Sequence, residues 1–290
     1  MDESRILIIG ARGQLGRALA ARYPTATATD RDTLDMTDWK AVEGYDWPRF
    51  DIILNAAVFA NVDGAETPEG RIAAWKVNAT GVGYLAKVAA AHDLTLVHVS
   101  TDYVFDGTQS PHNEDEPFAP LGVYAQSKAA GDIAASTASR HYIFRISWLI
   151  GDGPNFVRTM MGLAAKGISP TVVSDQVGRL TFADTLANVI NETFEKKLPF
   201  GTYNASGEGE PASWADITRL IFKELGRDDL TVTDTTTEEY FASKPGVAPR
   251  PLQSAMDLSK LKTAGITNRD WREDLHDYIQ AEQAKSKEQA

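Results

Sequence analysis

Tyr124 and Lys128 stand four residues apart in a stretch patterned as a helix, so both side chains project from one face. A phenol has an ordinary pKa near 10 and is a poor proton donor at neutral pH. An ammonium one helical turn away favours the phenolate, lowers that pKa and makes the phenol a usable acid toward a carbonyl oxygen. Ketone reduction needs such a group, because the oxygen must be protonated as hydride reaches the carbon. The spacing alone is unspecific. With 9 tyrosines and 13 lysines in 290 residues, about 0.4 accidental matches are expected, and Tyr240 with Lys244 supplies a second one. That second pair lies in a polar segment just before Pro245-Gly246, with no apolar strand beside it, and reads as accidental. The first pair follows the run VHVSTDYVFDG at 97–107, where Ser100 and Thr101 fall at the C-terminal end of a predicted parallel strand. Ligands of open α/β sheets bind at that edge. Either hydroxyl could hydrogen-bond the reacting oxygen, or the two could merely cap the loop.

A second group of residues suits a phosphate. GARGQLG at 10–16 places Gly10, Gly13 and Gly16 between a predicted strand and a predicted helix. Glycines let the backbone approach a pyrophosphate, and the helix N-terminus favours its charge. Asp30, twenty residues after Gly10, would accept hydrogen bonds from an adenosine ribose, as in NADH. Arg31 beside it suits the 2′-phosphate of NADPH instead, and both alternatives stand. Asp35 and Met36 lie just beyond, where they could flank the adenine.

These residues are positioned by alternating elements. Short apolar runs at 5–9, 25–29, 51–56, 94–100 and 142–148 read as strands buried on both faces. Helical periodicity covers 14–22, about 71–91 and about 123–136. The alternation predicts right-handed crossovers and a doubly wound parallel α/β sheet. After GDGP at 151–154 the pattern loosens, with helices expected at 156–166, 183–196, 213–225 and 271–280 and short strands at 171–174 and 202–205. The polar segment 234–250 reads as a loop or lid, and the last ten residues as frayed.

Composition narrows the class. The net charge of −11 argues against nucleic acid or a membrane surface as partner, since both favour a basic face. No apolar stretch approaches the roughly 18 residues that span a bilayer, and the run at 6–9 is too short for a signal peptide. The chain has no cysteine, which excludes disulfides and thiolate metal sites and fits a cytoplasmic enzyme. The five histidines show no metal-site spacing, and none of this chemistry requires a metal. The sequence leaves the oligomeric state open.

Taken together, GARGQLG at 10–16, LDMTD at 34–38, ILNAAVFANVDGAE at 53–66, HVSTDYVFDG at 98–107 and YAQSK at 124–128 resemble the extended short-chain dehydrogenases/reductases. RISWLIGDG at 145–153, NFVRTM at 155–160, VSDQVGRLTFADTLA at 173–187 and RPLQSAMD at 250–257 extend the likeness to the branch that reduces dTDP-linked 4-keto-6-deoxyhexoses. The resemblance implies a Rossmann domain over residues 1–147, with a later segment near 171–206 returning to it, and a smaller α/β substrate domain over 148–290. It implies Thr101, Tyr124 and Lys128 as catalytic residues. Cofactor contacts, to NADPH or NADH, fall on Gly13, Gln14, Leu15, Asp30, Asp35, Met36, Ala56, Ala57, Val58 and Val99. Contacts to a nucleotide-sugar fall on Thr101, Asp102, Tyr103 and Trp148, with Arg250 as a diphosphate partner. Read from its position alone, Trp148 could equally fill core. The implied reaction is reduction of the C4 ketone of dTDP-4-dehydro-rhamnose to dTDP-rhamnose. The alternatives are a reductase or epimerase for another nucleotide-sugar, or a non-catalytic dinucleotide-binding regulatory subunit. Two departures stand out: Leu180 replaces a usual proline, and the first helix lacks the carboxylate through which some relatives bridge a dimer by metal.

Overall fold

The computed structural model describes residues 1–288. Its central sheet contains β1 (Ile6–Ile9), β2 (Thr27–Thr29), β3 (Ile52–Asn55), β4 (Thr95–Thr101), β5 (His141–Ile146) and the later strand Gly201–Asn204. All pair in parallel, in the order Gly201–Asn204, β5, β4, β3, β1, β2. Helices over the first part of the chain are α1 (Gln14–Arg22), α2 (Trp39–Glu43), α3 (Pro68–Trp75), α4 (Val82–Ala91) and α5 (Val123–Ala135). Those that follow are α6 (Phe156–Ala165), α7 (Ala183–Glu195) and α8 (Trp214–Glu224), and Trp271–Glu288 forms the last long helix.

The strands are apolar throughout because both faces are covered. Ile6 and Ile8 of β1, Ile52 and Leu54 of β3, and Tyr142 and Phe144 of β5 pack with α1 and α7. Leu7, Ile9, Ile53 and Ile143 point the other way, onto α2, α4 and the end of α5. Complete burial of a side chain such as Leu7 contributes roughly 1.5–3 kcal/mol. This is the doubly wound sheet that the alternation predicts. Its strand order reverses between β1 and β3, which opens a crevice at their C-terminal ends.

A separate core joins α6, α8 and the last helix through Val157, Met160, Phe182, Ile217, Phe222, Trp271 and Leu275. Leu180 is fully buried there, so the residue that departs from the proline pattern serves as core. The chain passes repeatedly between this core and the sheet. Thr171–Val173 pairs with Thr233–Thr235, Val177–Gly178 with Ala212–Ser213, and Thr181–Phe182 with Leu149–Ile150. Then α7 packs on α1, and Gly201–Asn204 extends the central sheet beside β5.

Three expectations need correction. The stretch 71–91 is helical, but its middle is a π turn, Lys76–Gly81, and the helix begins earlier, at Pro68 with Thr67 as N-cap. The segment 234–250 is not all loop, since Thr233–Thr235 is a strand and Thr237–Phe241 a helix closed by a Thr236/Glu239 capping box. The last ten residues are not frayed as far as Glu288, and residues 289–290 lie outside the described chain. Glu282 anchors that helix through a two-pronged pair with Arg158, at 2.7 and 2.9 Å, and a further bond from Lys285 at 3.0 Å.

Candidate active site

At the end of β1, Gly10 turns the chain with φ +84°, and a Cβ there would lie 2.7 Å from Ala57 Cα. A Cβ on Gly16 would strike the Gly10 carbonyl at 2.1 Å. The turn therefore closes only with glycine at both positions. Gly13 is the N-cap of α1 and offers no side-chain cap, which leaves the first-turn N–H groups for an anion. The adjoining cleft, about 570 Å³, is lined by Gly10, Gly13, Asp30, Arg31, Asp35, Met36, Ala56, Ala57 and Val58. These residues fit a dinucleotide: a glycine cradle, open amide donors and an apolar wall.

Not every expected contact faces that cleft. Leu15 is buried in the sheet core, so only its backbone can serve. The Gln14 side chain turns the other way, where Oε1 accepts from Gly151 N–H at 2.8 Å and Nε2 donates to the Pro154 carbonyl at 3.2 Å. Asp30 accepts from the N–H groups of Asp32 and Thr33 and pairs with Arg12, which also reaches Asp32 at 2.9 Å. Arg31 pairs with Asp35 at 3.7 Å. Arg12, Asp32 and Lys76 also line the cleft, and sequence reading passed over all three. Arg12 was legible as the one charge within the glycine turn.

The end of β4 carries Thr101, and α5 brings Tyr124 and Lys128 to it. The half-buried Tyr124 ring packs edge-on against Tyr103, with centroids 5.8 Å apart, and Thr101 lies beside its phenol. Burial, then the negative Asp102, pushes the Tyr124 pKa up rather than down. This corrects the expectation of a phenol acidified by Lys128: the hydroxyl stays protonated at neutral pH, in the state that can give a proton. Lys128 is 2% exposed, and its Nζ donates to the Val99 carbonyl at 2.7 Å. Burial lowers its pKa to about 8.

Asp102 is also buried, with Oδ1 accepting from the Thr101 hydroxyl at 2.9 Å and Oδ2 unpartnered. Burial raises its pKa to about 6. Ser100 points its hydroxyl into the interior without a partner. Trp148 adopts φ +46°, rare for a bulky residue, and stacks on Trp214 at 3.8 Å between centroids. Arg250 is held by Asp63, with Nη2 to Oδ1 at 2.7 Å. The second tyrosine–lysine match makes only a surface cation–π contact, with Lys244 Nζ 3.6 Å from the Tyr240 ring centroid.

Supporting groups hold α5 in register. In the π turn, Asn78 accepts from Phe59 N–H at 2.8 Å and donates to the Phe59 carbonyl at 3.1 Å and to Ser127 Oγ at 3.0 Å. Its own carbonyl lies against Gly131, where a Cβ would approach to 2.1 Å. Behind Lys128 a buried polar chain runs through His98 to Asp132 and Arg145. Sequence reading missed it, although Asp132 continues the four-residue spacing of Tyr124 and Lys128. Among the described residues, no three His, Cys, Asp or Glu side chains converge as a metal site, and no helix is long and apolar enough to cross a membrane.

The family model described as RmlD substrate binding domain matches residues 4–284. The dTDP-4-dehydrorhamnose reductase of Aggregatibacter actinomycetemcomitans is 38% identical, over 94% of this chain and 97% of that protein. A crystal structure of a dTDP-4-dehydrorhamnose reductase from Clostridium acetobutylicum superposes with a TM-score of 0.88 at 36% identity, covering 96% of this chain and 99% of the other. The Bacillus anthracis dTDP-4-dehydrorhamnose reductase, solved in complex with NADP, gives a TM-score of 0.87 at 31% identity, covering 95% and 98%.

Proposed function

The chain belongs to the dTDP-4-dehydrorhamnose reductase family, and from that premise we propose that it reduces the C4 ketone of dTDP-4-dehydro-rhamnose with NADPH or NADH, giving dTDP-rhamnose. The observation that carries this reading is the packing of α5 on β4, which brings Tyr124 beside Thr101 and Lys128 onto the Val99 carbonyl, on the sheet edge that carries the glycine-lined cleft. The reduced nicotinamide supplies the hydride. Tyr124 gives its phenolic proton to the C4 oxygen as that oxygen gains charge, and Thr101 hydrogen-bonds the same oxygen. Lys128 holds positive charge beneath the phenol and orients the nicotinamide ribose. Gly10, Gly13, Gly16 and the first-turn N–H groups of Gln14 and Leu15 hold the pyrophosphate. Asp30 or Arg31 meets the adenosine ribose, Asp35 and Met36 flank the adenine, and Ala56, Ala57, Val58 and Val99 complete the wall.

In the same reading Asp102, Tyr103, Trp148 and Arg250 meet the sugar nucleotide. Residues 1–147, with a returning part near 171–206, hold the dinucleotide, and 148–290 mainly hold the substrate. The absence of cysteine accords with work in the cytoplasm. The test is a coupled assay in which dTDP-glucose is dehydrated, epimerised and offered with NADPH and NADH separately. Oxidation of either cofactor with formation of dTDP-rhamnose is expected, and oxidation of neither would overturn the assignment.

A further inference from the structure

Lys128 is buried, yet among the described residues no carboxylate is in direct contact with its ammonium. Its two polar neighbours are the Val99 carbonyl at 2.7 Å and His98 Nε2 at 3.3 Å. The His98 tautomer follows from the next bonds along. Asn55 Oδ1 accepts from Ala57 N–H, so its amide Nδ2 faces His98 Nδ1 at 3.2 Å as a donor. Nδ1 must accept, which leaves the imidazole proton on Nε2. An N–H there cannot accept from the ammonium, so His98 does not stabilise the charge of Lys128. Burial, then the charge of Lys128, keeps His98 neutral.

Beyond His98 lies Asp132, 1% exposed, with Oδ1 3.8 Å from His98 Nε2 and, among the described residues, no hydrogen-bond partner of its own. Its other oxygen is fixed by Arg145 Nε at 3.0 Å. Arg145 is itself clamped, with Nη1 on the Glu114 carbonyl at 3.0 Å and its guanidinium over the Phe105 and Phe118 rings. The charged or titratable groups around this pair are Arg145 on β5, which faces Asp132, His98 on β4, which lies between Asp132 and Lys128, and Tyr124 on the same helix, with Asp102 and Tyr103 beyond Tyr124 and the Ser100 hydroxyl beside Asp132. The π turn in front contributes the neutral Asn78.

We propose that Asp132, kept ionised by Arg145, is the counter-charge that holds Lys128 protonated across the neutral His98, so that Asp132 and Arg145 are positioning residues for the Tyr124–Lys128 pair. The proposal rests on the reductase reading of that pair. An unpartnered carboxylate oxygen in the interior is costly, and the part of its field that Arg145 does not neutralise falls on Lys128, one helical turn away. Arg145 opposes the burial that raises the Asp132 pKa, and Asp132 in turn opposes the burial that lowers that of Lys128.

The sign of the effect follows. Reduction needs the ammonium, so the rate falls as pH rises through the Lys128 pKa. Removing the charge of Asp132 lowers that pKa and starts the fall at lower pH. The experiment measures kcat/KM for keto-sugar reduction against pH in the full-length protein and in Asp132→Asn, Arg145→Gln and Arg145→Lys. The alkaline limb should move down by about one pH unit or more in Asp132→Asn. It should move the same way in Arg145→Gln, where the unpaired Asp132 takes up a proton, and stay near wild type in Arg145→Lys. Cofactor binding and circular dichroism establish that each variant is folded, and if Asp132→Asn does not fold, Arg145→Gln decides. Folded variants whose limb coincides with wild type, however far kcat drops, would overturn the proposal. An inactive wild type would count against the functional reading instead.

Discussion

Gly131→Ala sets two ordinary rules against each other. On α5 the substitution gains helix propensity, worth about 1 kcal/mol when the position is open. At Gly131 the new Cβ would stand 2.1 Å from the Asn78 carbonyl oxygen and 3.4 Å from His98 Nε2. The obstacle is backbone, so either α5 or the π turn must retreat by about 1 Å, and overpacking of this kind costs about 1–3 kcal/mol. The net expectation is destabilisation by about 1–2 kcal/mol in urea unfolding. Gly162 on α6 provides the control: a Cβ there meets nothing within 4 Å, and Gly162→Ala should stabilise by up to about 1 kcal/mol. The retreat also carries Tyr124 and Lys128 away from Thr101, and a displacement near 1 Å can cost about 100-fold in turnover. A Gly131→Ala protein as stable as Gly162→Ala and fully active would refute the claim that this contact sets the position of α5.

Tyr124→Phe should bind the nicotinamide cofactor with wild-type affinity by fluorescence titration while turnover falls by about 100- to 10,000-fold; unchanged turnover would remove Tyr124 from the chemistry. Asp102 has a native pKa of about 6, above its ordinary 3.8, so the folded chain binds more protons than the unfolded one and loses stability as pH rises through that window. Asp102→Asn should therefore be more stable than wild type at pH 7 by about 3 kcal/mol, an advantage that vanishes below about pH 4, as urea unfolding at both pH values would reveal. Glu282 runs the opposite way: its pairing with Arg158 depresses its pKa, so the stability it adds is present at neutral pH and lost as acid protonates it. Glu282→Gln should cost about 1 kcal/mol at pH 7 and nothing once wild-type Glu282 is itself protonated, with amide exchange of the last helix as readout.

The parts of this site that could be read from sequence were those set by local chemistry. The glycine turn, the strand runs and the Tyr124–Lys128 spacing each depend on neighbours within about one turn or strand, and the structure forms them where expected. The direction of the Tyr124 pKa could not be read, because it depends on burial and on Asp102, which arrives from a different element. Gln14 sits in the phosphate turn, yet its side chain is claimed by Gly151 and Pro154, partners some 140 positions away. The π turn was invisible for a related reason. Apolar periodicity fixes the helical face but not one extra residue per turn, which is held here by Asn78 bonding to Phe59 and Ser127. Asp132 was in plain view at the third step of the spacing, but its meaning required Arg145 from β5.

The late arrival of Gly201–Asn204 has a consequence for biosynthesis. Until Gly201–Asn204 has emerged from the ribosome, β5 has no neighbour on its outer side, and its N–H and C=O groups form a bare template for pairing with another nascent chain. A fragment ending after β5 would keep the glycine turn and the Tyr124–Lys128 pair, but its sheet would end on that open edge. Such a fragment should aggregate rather than persist as a small dinucleotide-binding module, and the intact protein should commit to its fold only after the returning strand has docked.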